Sequence, residues 1–166
     1  AEAAQKITSD IYVNVQGDEP TINPNDIIKI INEKKKYMDE VINGYCPIGE
    51  DENPLNTNIP KVIFNEEKQM VYMSRQAIPG SKDTKKFSID YFKQVCIYAF
   101  TIDELNAYKG YGKKSTLEKH EDIEIIRFLE LNKAVRMVET EPGSLAVDTP
   151  ADVEIVEERL QSLARE

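Results

Sequence analysis

The chain has 166 residues, 40% of them hydrophobic and 31% charged, a mixture that belongs to one folded domain with its own core and not to a disordered segment. A formal net charge of -9 argues against a nucleic-acid or anionic-membrane surface as the main partner. No apolar run approaches the ~18 residues of a membrane span. A phosphorylated substrate remains compatible with this charge, because a local basic pocket or a metal can hold it. Cys46 and Cys96 are far apart and each sits in an apolar setting, so both are expected to be buried, reduced thiols. The first residues form no apolar signal segment, and the expected location is cytoplasmic.

Residues 1–8 are helix formers that lead to Ser9 and Asp10. They predict the tail of a helix whose start precedes this chain, and hence a longer parent protein. Residues 11–15 alternate Ile11, Val13 and Val15 with Tyr12 and Asn14, which predicts a buried strand. Gly17 and Pro20 end it, with Asp18 and Glu19 between them. Ligands of open α/β sheets bind beyond the carboxyl ends of strands. An acidic pair there is placed to hold a hard cation such as magnesium, or is a solvated turn.

Asn23 and Pro24 mark a helix start, and Ile27, Ile28, Ile30 and Ile31 give it an apolar stripe. Lys34, Lys35 and Lys36 close it as a solvated, dipole-matched last turn. Residues 41–48 read as a strand and residues 49–58 as a loop, whose Glu50, Asp51 and Glu52 are expected to be solvated. Residues 61–64 and 70–73 predict a hairpin around a turn at 65–68. Residues 80–89 read as a basic loop and 95–100 as the second strong strand. A short helix is expected over 103–110. Ser115 and Glu118 form a capping-box pattern ahead of a longer helix. On it Ile123, Ile126, Leu129 and Leu131 share one side, while Glu118, Glu121 and Glu124 share another that Arg127 continues. His120, the sole histidine, reads as a surface residue, since no second histidine exists to build a zinc site. A strand at 135–138 and a turn at Pro142 and Gly143 lead to a helix over 151–163, with Asp148 or Thr149 as its cap and Pro150 in its first turn. Strands alternate with helices throughout, which predicts a single α/β domain over 1–166.

The string Asn14-Val15-Gln16-Gly17-Asp18-Glu19-Pro20 resembles the signature of 3-deoxy-manno-octulosonate (Kdo) cytidylyltransferases, which make CMP-Kdo; related sialic acid synthetases differ at this point. Tyr72-Met73-Ser74-Arg75 followed by Ile78-Pro79 resembles a second family segment, and Val147-Asp148-Thr149-Pro150 with Asp152 resembles a third. Two segments depart from the pattern. The family's His-x-Gly-Ile-Tyr is here Gln94-Val95-Cys96-Ile97-Tyr98, and a Glu-Gln pair that faces the sugar is here Glu124-Ile125.

The resemblance implies a Rossmann-like nucleotide-diphospho-sugar transferase fold with a mixed sheet. It implies that the family's N-terminal strands and basic CTP-holding loop fall outside this chain, which makes it an incomplete domain. Asp18 and Asp148 would be the catalytic, Mg2+-holding aspartates. Gln16, Arg75, Gln94, Tyr98 and Glu124 would bind the sugar, with the Arg75 guanidinium matched to its carboxylate. CTP and an ulosonic acid are the implied substrates, and surface-polysaccharide or lipopolysaccharide assembly the implied destination of the product. A homodimer formed through residues 59–100 is implied too, with no nucleic-acid or membrane partner. Two other readings stay open: an inactive regulatory or dimerisation fragment, and a sialic-type CMP-sugar synthetase.

Overall fold

The sheet is built on β5 (Phe92–Phe100), the longest strand and almost wholly buried. A computed structural model describes the chain except for residues 50, 51, 83–88, 148 and 164–166. Around β5 stand β1 (Tyr12–Val15), β2 (Val41–Pro47), β3 (Lys61–Phe64), β4 (Met70–Ser74) and β6 (Val135–Glu139). The order is β4-β3-β5-β2-β6, and β1 also pairs with β5. One edge of β5 is therefore shared: β1 lies antiparallel along Ile97 to Phe100, while β3 meets it at Lys93. β2 lies antiparallel along the opposite edge, and β6 is parallel to β2. The sheet is mixed, as expected, and the hairpin is present as β3 and β4.

The two-residue period of β2 assigns its side chains to two layers. Val41 and Tyr45 enter a large cluster with Val62, Met73, Ile126, Phe128 and Met137. Ile42 and Cys46 enter a smaller one with Ile30, Val95, Ile97 and Ala99. The second lies under α1 (Pro24–Lys36), capped by the Asn23 side chain, which accepts the Asn25 N–H. Rings of Tyr45, Phe64 and Phe92 pack together in the first layer, with centroids 4.5 to 5.5 Å apart.

Several expectations need correction. β1 is not a buried strand. It grades from half-buried to exposed, because among the described residues it has a partner on one edge only. Residues 1–8 hold a single 3-10 turn, Ala3–Gln5, where a helix tail is expected. In α1, Ile28 is exposed and Lys34 takes the buried position one turn beyond Ile30 and Ile31. Lys34 is fully buried. Its Nζ donates to both carboxylate oxygens of Glu104 at 2.8 Å and to the carbonyls of Met38 and Glu40. Glu104 belongs to α2 (Ile102–Gly110), where it also closes a capping box with Thr101. Cys46 is buried as expected, whereas Cys96 is only partly so.

The long helix after Ser115 is broken. α3 (Thr116–Glu121) ends at Asp122, whose φ of 53° is left-handed. A 3-10 turn, Glu124–Ile126, and a short α4 (Arg127–Glu130) follow. The shared face of Glu118, Glu121 and Glu124 does not exist. Glu118 is buried against Arg127, Glu121 accepts hydrogen bonds from Tyr72 and Arg75, and Glu124 is exposed. α5 (Pro150–Leu163) agrees with expectation, with the Thr149 N–H donating to the Asp152 carboxylate.

Candidate active site

The site forms where β1 runs out beside an irregular stretch of β5. Opposite Asn43 and Gly44 the β2–β5 register jumps, from Asn43 paired with Tyr98 to Gly44 paired with Val95. Irregularities of this kind re-aim side chains next to sites. The Asn43 amide spans this one, with Nδ2 donating to the carbonyls of Val95 and Ile97 at 3.0 Å each. At Gly44 the space is tight: a Cβ would lie 3.2 Å from Thr140 Cγ2, and that side chain would have to shift to admit it.

Cys96, inside the irregular stretch, ties the acidic turn to the sheet. Its carbonyl accepts the Gln16 N–H at 3.2 Å, and its N–H donates to Glu19 Oε1 at 3.0 Å. Glu19 is therefore buried, 7% exposed, as part of the turn's scaffold. Asp18 is exposed. The loop between β6 and α5 closes over the same turn: the Val147 N–H donates to the Asp18 carbonyl and the Leu145 N–H to Thr21 Oγ1, both at 2.8 Å.

Between these segments lies a cavity of about 520 Å³. Gln16, Asp18, Arg75, Gln94, Tyr98 and Glu124 all line it. Of the site residues expected from sequence, only Asp148 is missing from that lining, and it lies outside the described residues. Its neighbour Val147 is the residue bonded to Asp18.

Arg75 sits on the rim, with its guanidinium largely engaged by backbone oxygens. Nε donates to the Glu121 carbonyl at 2.7 Å, Nη1 to Thr57 at 3.0 Å and Nη2 to Asp122 at 3.0 Å. Beneath it, Lys61 is fully buried and donates to the carbonyls of Asn56, Ile59 and Arg75. Burial lowers its pKa. The two cations fasten the 53–60 loop to the end of α3.

The wall is acidic. Glu52, expected to be solvated, pairs with Lys93, which also donates to the Ser144 carbonyl. The carboxylates of Asp18 and Glu124 have no hydrogen-bond or ion-pair partner among the described residues. Burial pushes the Cys96 thiol and the Tyr98 phenol above their ordinary ranges. Cys96 is thus a neutral thiol and not a thiolate nucleophile. Among the described residues no three His, Cys, Asp or Glu side chains are grouped to hold a metal. A free carboxylate at Asp18 still suits Mg2+, which takes one or two protein carboxylates and completes its shell with water and phosphate oxygens.

Three participants were not singled out from sequence: Asn43, the Glu52–Lys93 pair and the anchoring role of Glu19. For Asn43 the signal is an amide in the middle of an otherwise apolar strand.

A cytidylyltransferase family model matches residues 1–139. The 3-deoxy-manno-octulosonate cytidylyltransferase of Koribacter versatilis is 35% identical over 161 residues, covering 97% of this chain and 60% of that protein. That of Syntrophotalea carbinolica is 33% identical over 177 residues, covering 98% of this chain and 68% of that protein. The structure of a CMP:2-keto-3-deoxy-manno-octonic acid synthetase complexed with CTP superposes with a TM-score of 0.87 at 30% identity, over 97% of this chain and 66% of that one. The chain thus spans roughly three fifths to two thirds of the proteins it matches. Matched along nearly its whole length in sequence and in fold, this chain belongs to the 3-deoxy-manno-octulosonate cytidylyltransferase family.

Proposed function

We propose that the protein containing this chain transfers CMP from CTP to an ulosonic acid of the Kdo class. The anomeric hydroxyl oxygen forms a bond to the α-phosphorus, the bond from that phosphorus to the bridging oxygen of pyrophosphate breaks, and a proton is released. The observation that carries this reading is the convergence of Gln16, Asp18, Arg75, Gln94, Tyr98 and Glu124 on one cavity in a chain of this family. Binding two anionic substrates side by side is mainly a matter of positioning and charge neutralisation. Mg2+, held by Asp18 together with Asp148, would supply that neutralisation. Gln16, Gln94, Tyr98 and Glu124 offer polar groups to the sugar, and the positive charge of Arg75 faces its carboxylate.

We also assign a homodimer, made through residues 59–100, a cytoplasmic location, and a product destined for surface-polysaccharide or lipopolysaccharide assembly. No helix among the described residues is long and apolar enough to cross a membrane. A sialic-type substrate is the second reading, motivated by Gln94 and by Ile125, which is buried and offers no hydrogen bond.

Pyrophosphate release by the full-length protein, with CTP, Mg2+ and either Kdo or N-acetylneuraminate, tests both readings. Turnover with Kdo is expected. Turnover with N-acetylneuraminate alone would establish the second reading, and turnover with neither would leave the inactive-fragment reading.

A further inference from the structure

We propose that Asn43, Gln94 and Tyr98 form a locked amide relay that presents one fixed hydrogen-bond acceptor, Gln94 Oε1, to the cavity, and that this atom selects a hydroxyl of the sugar. The proposal rests on the ulosonic-acid reading above. Asn43 is its positioning residue.

The orientation of each amide follows from its neighbours. Asn43 faces two backbone carbonyls, those of Val95 and Ile97, at 3.0 Å each. Carbonyl oxygens only accept, so both hydrogens of Asn43 Nδ2 are used and Oδ1 must point the other way. There it lies 3.1 Å from the Gln94 amide, which must present its nitrogen. The second hydrogen of Gln94 Nε2 goes to the Tyr98 hydroxyl at 3.0 Å. Both donors of Gln94 are then consumed inside the protein. Its Oε1 has no partner among the described residues, although Gln94 is 8% exposed and lines the cavity. Oε1 is not one of the fully buried polar atoms left without a partner, so it stands open to the cavity, where water or a ligand can meet it. The partner it suits is a donor, and on an ulosonic acid that means a hydroxyl.

A rigid acceptor also discriminates. A freely rotating glutamine could turn its NH2 toward a substrate acceptor, but here rotation would set Gln94 Oε1 against Asn43 Oδ1. Asn43 is itself held by two carbonyls and cannot turn to compensate. A hydroxyl at the matching position is therefore recognised, and a fluorine or a hydrogen there is rejected.

The test uses the full-length enzyme with CTP, Mg2+ and a set of Kdo analogues, each with one hydroxyl replaced by hydrogen or fluorine. In the natural enzyme one position should lose about tenfold in kcat/KM with both replacements, the scale of one lost hydrogen bond to the substrate. Gln94→Met should shrink that discrimination to less than about twofold. Asn43→Ala should weaken it as well, because the Gln94 amide is then free to turn. An enzyme that is only less stable loses rate with every analogue alike and keeps its discrimination. If Asn43→Ala does not fold, Gln94→Met decides alone. Discrimination at no position, or discrimination that survives Gln94→Met, overturns the relay. If unsubstituted Kdo is not turned over but another ulosonic acid is, the Kdo assignment fails and the same set built on that sugar still tests the relay. No turnover with any ulosonic acid overturns both.

Discussion

The turn at residues 16–19 and the corner at residues 118–127 each carry carboxylates, and the fold treats them in opposite ways. In the corner, Glu118 is 1% exposed and fully spent. It accepts the Arg127 Nε and Nη2 at 2.7 and 2.6 Å and the Ser115 N–H at 2.9 Å. Arg127 in turn stacks on Tyr108, 3.7 Å from the ring centroid. In the turn, Glu19 is spent on a backbone N–H while its neighbour Asp18 has no partner among the described residues. In a chain of net charge -9, the presence of an acidic residue identifies little. The informative acids are those the fold leaves open beside a cavity.

The strongest way to break this contrast is to remove the acid from the corner. Glu118→Ala leaves Arg127 buried without its partner and should cost about 3–5 kcal/mol of stability, the range for orphaning one member of a buried pair. Replacing both members, Glu118→Leu with Arg127→Met, should recover most of that loss. Urea unfolding of the full-length protein measures it. A loss below about 1 kcal/mol, the scale of an exposed pair, would put the corner on the surface.

The corresponding change in the turn should act on rate. Asp18→Asn should lower kcat by about 100-fold or more, as removal of a key electrostatic stabiliser does, with an unchanged unfolding midpoint. Glu19→Gln keeps Oε1 as an acceptor for the Cys96 N–H and should stay within about threefold of the natural turnover. If the two substitutions had equal effects on rate, the division of labour between these neighbours would be wrong.

The same contrast explains what could be read from the sequence. α1, the β3–β4 hairpin and the helix starts at Ser115 and Thr149 were legible because their signals are local: caps, turns and periodicity. The break at Asp122 was not. The Arg75 guanidinium, 46 and 47 residues away, takes the carbonyls of Glu121 and Asp122, and no local pattern records that. Lys34 reads as a solvated helix end because its partner Glu104 is 70 residues distant. Six of the residues that line the cavity, Gln16, Asp18, Arg75, Gln94, Tyr98 and Glu124, were named through the resemblance to a family. The relay was not, because Asn43 gains its meaning only from an irregularity in another strand.

The smallest expected effect lies in the pH dependence of stability. Burial alone would raise the Glu118 pKa, but the Arg127 guanidinium and the Ser115 N–H outweigh it and hold the carboxyl below its ordinary 4.5. In the unfolded chain the group regains that ordinary value and takes up its proton first as pH falls. The stabilisation from Glu118 is thus complete above pH 4.5 and is lost as pH drops toward the folded value. While only the unfolded state protonates, the slope is at most ~1.4 kcal/mol per pH unit. Asp122 and Glu130 are also held low, by Lys114 and by hydrogen bonds at the start of α3, so the natural protein alone does not isolate the term. The difference between its stability and that of Glu118→Gln does. That difference should be constant above pH 4.5 and should narrow below it, because the glutamine has no proton to take up. Curves that stay parallel down to pH 3 would mean that Glu118 ionises alike in the folded and unfolded chains, and the corner would then hold no carboxylate more firmly than water does.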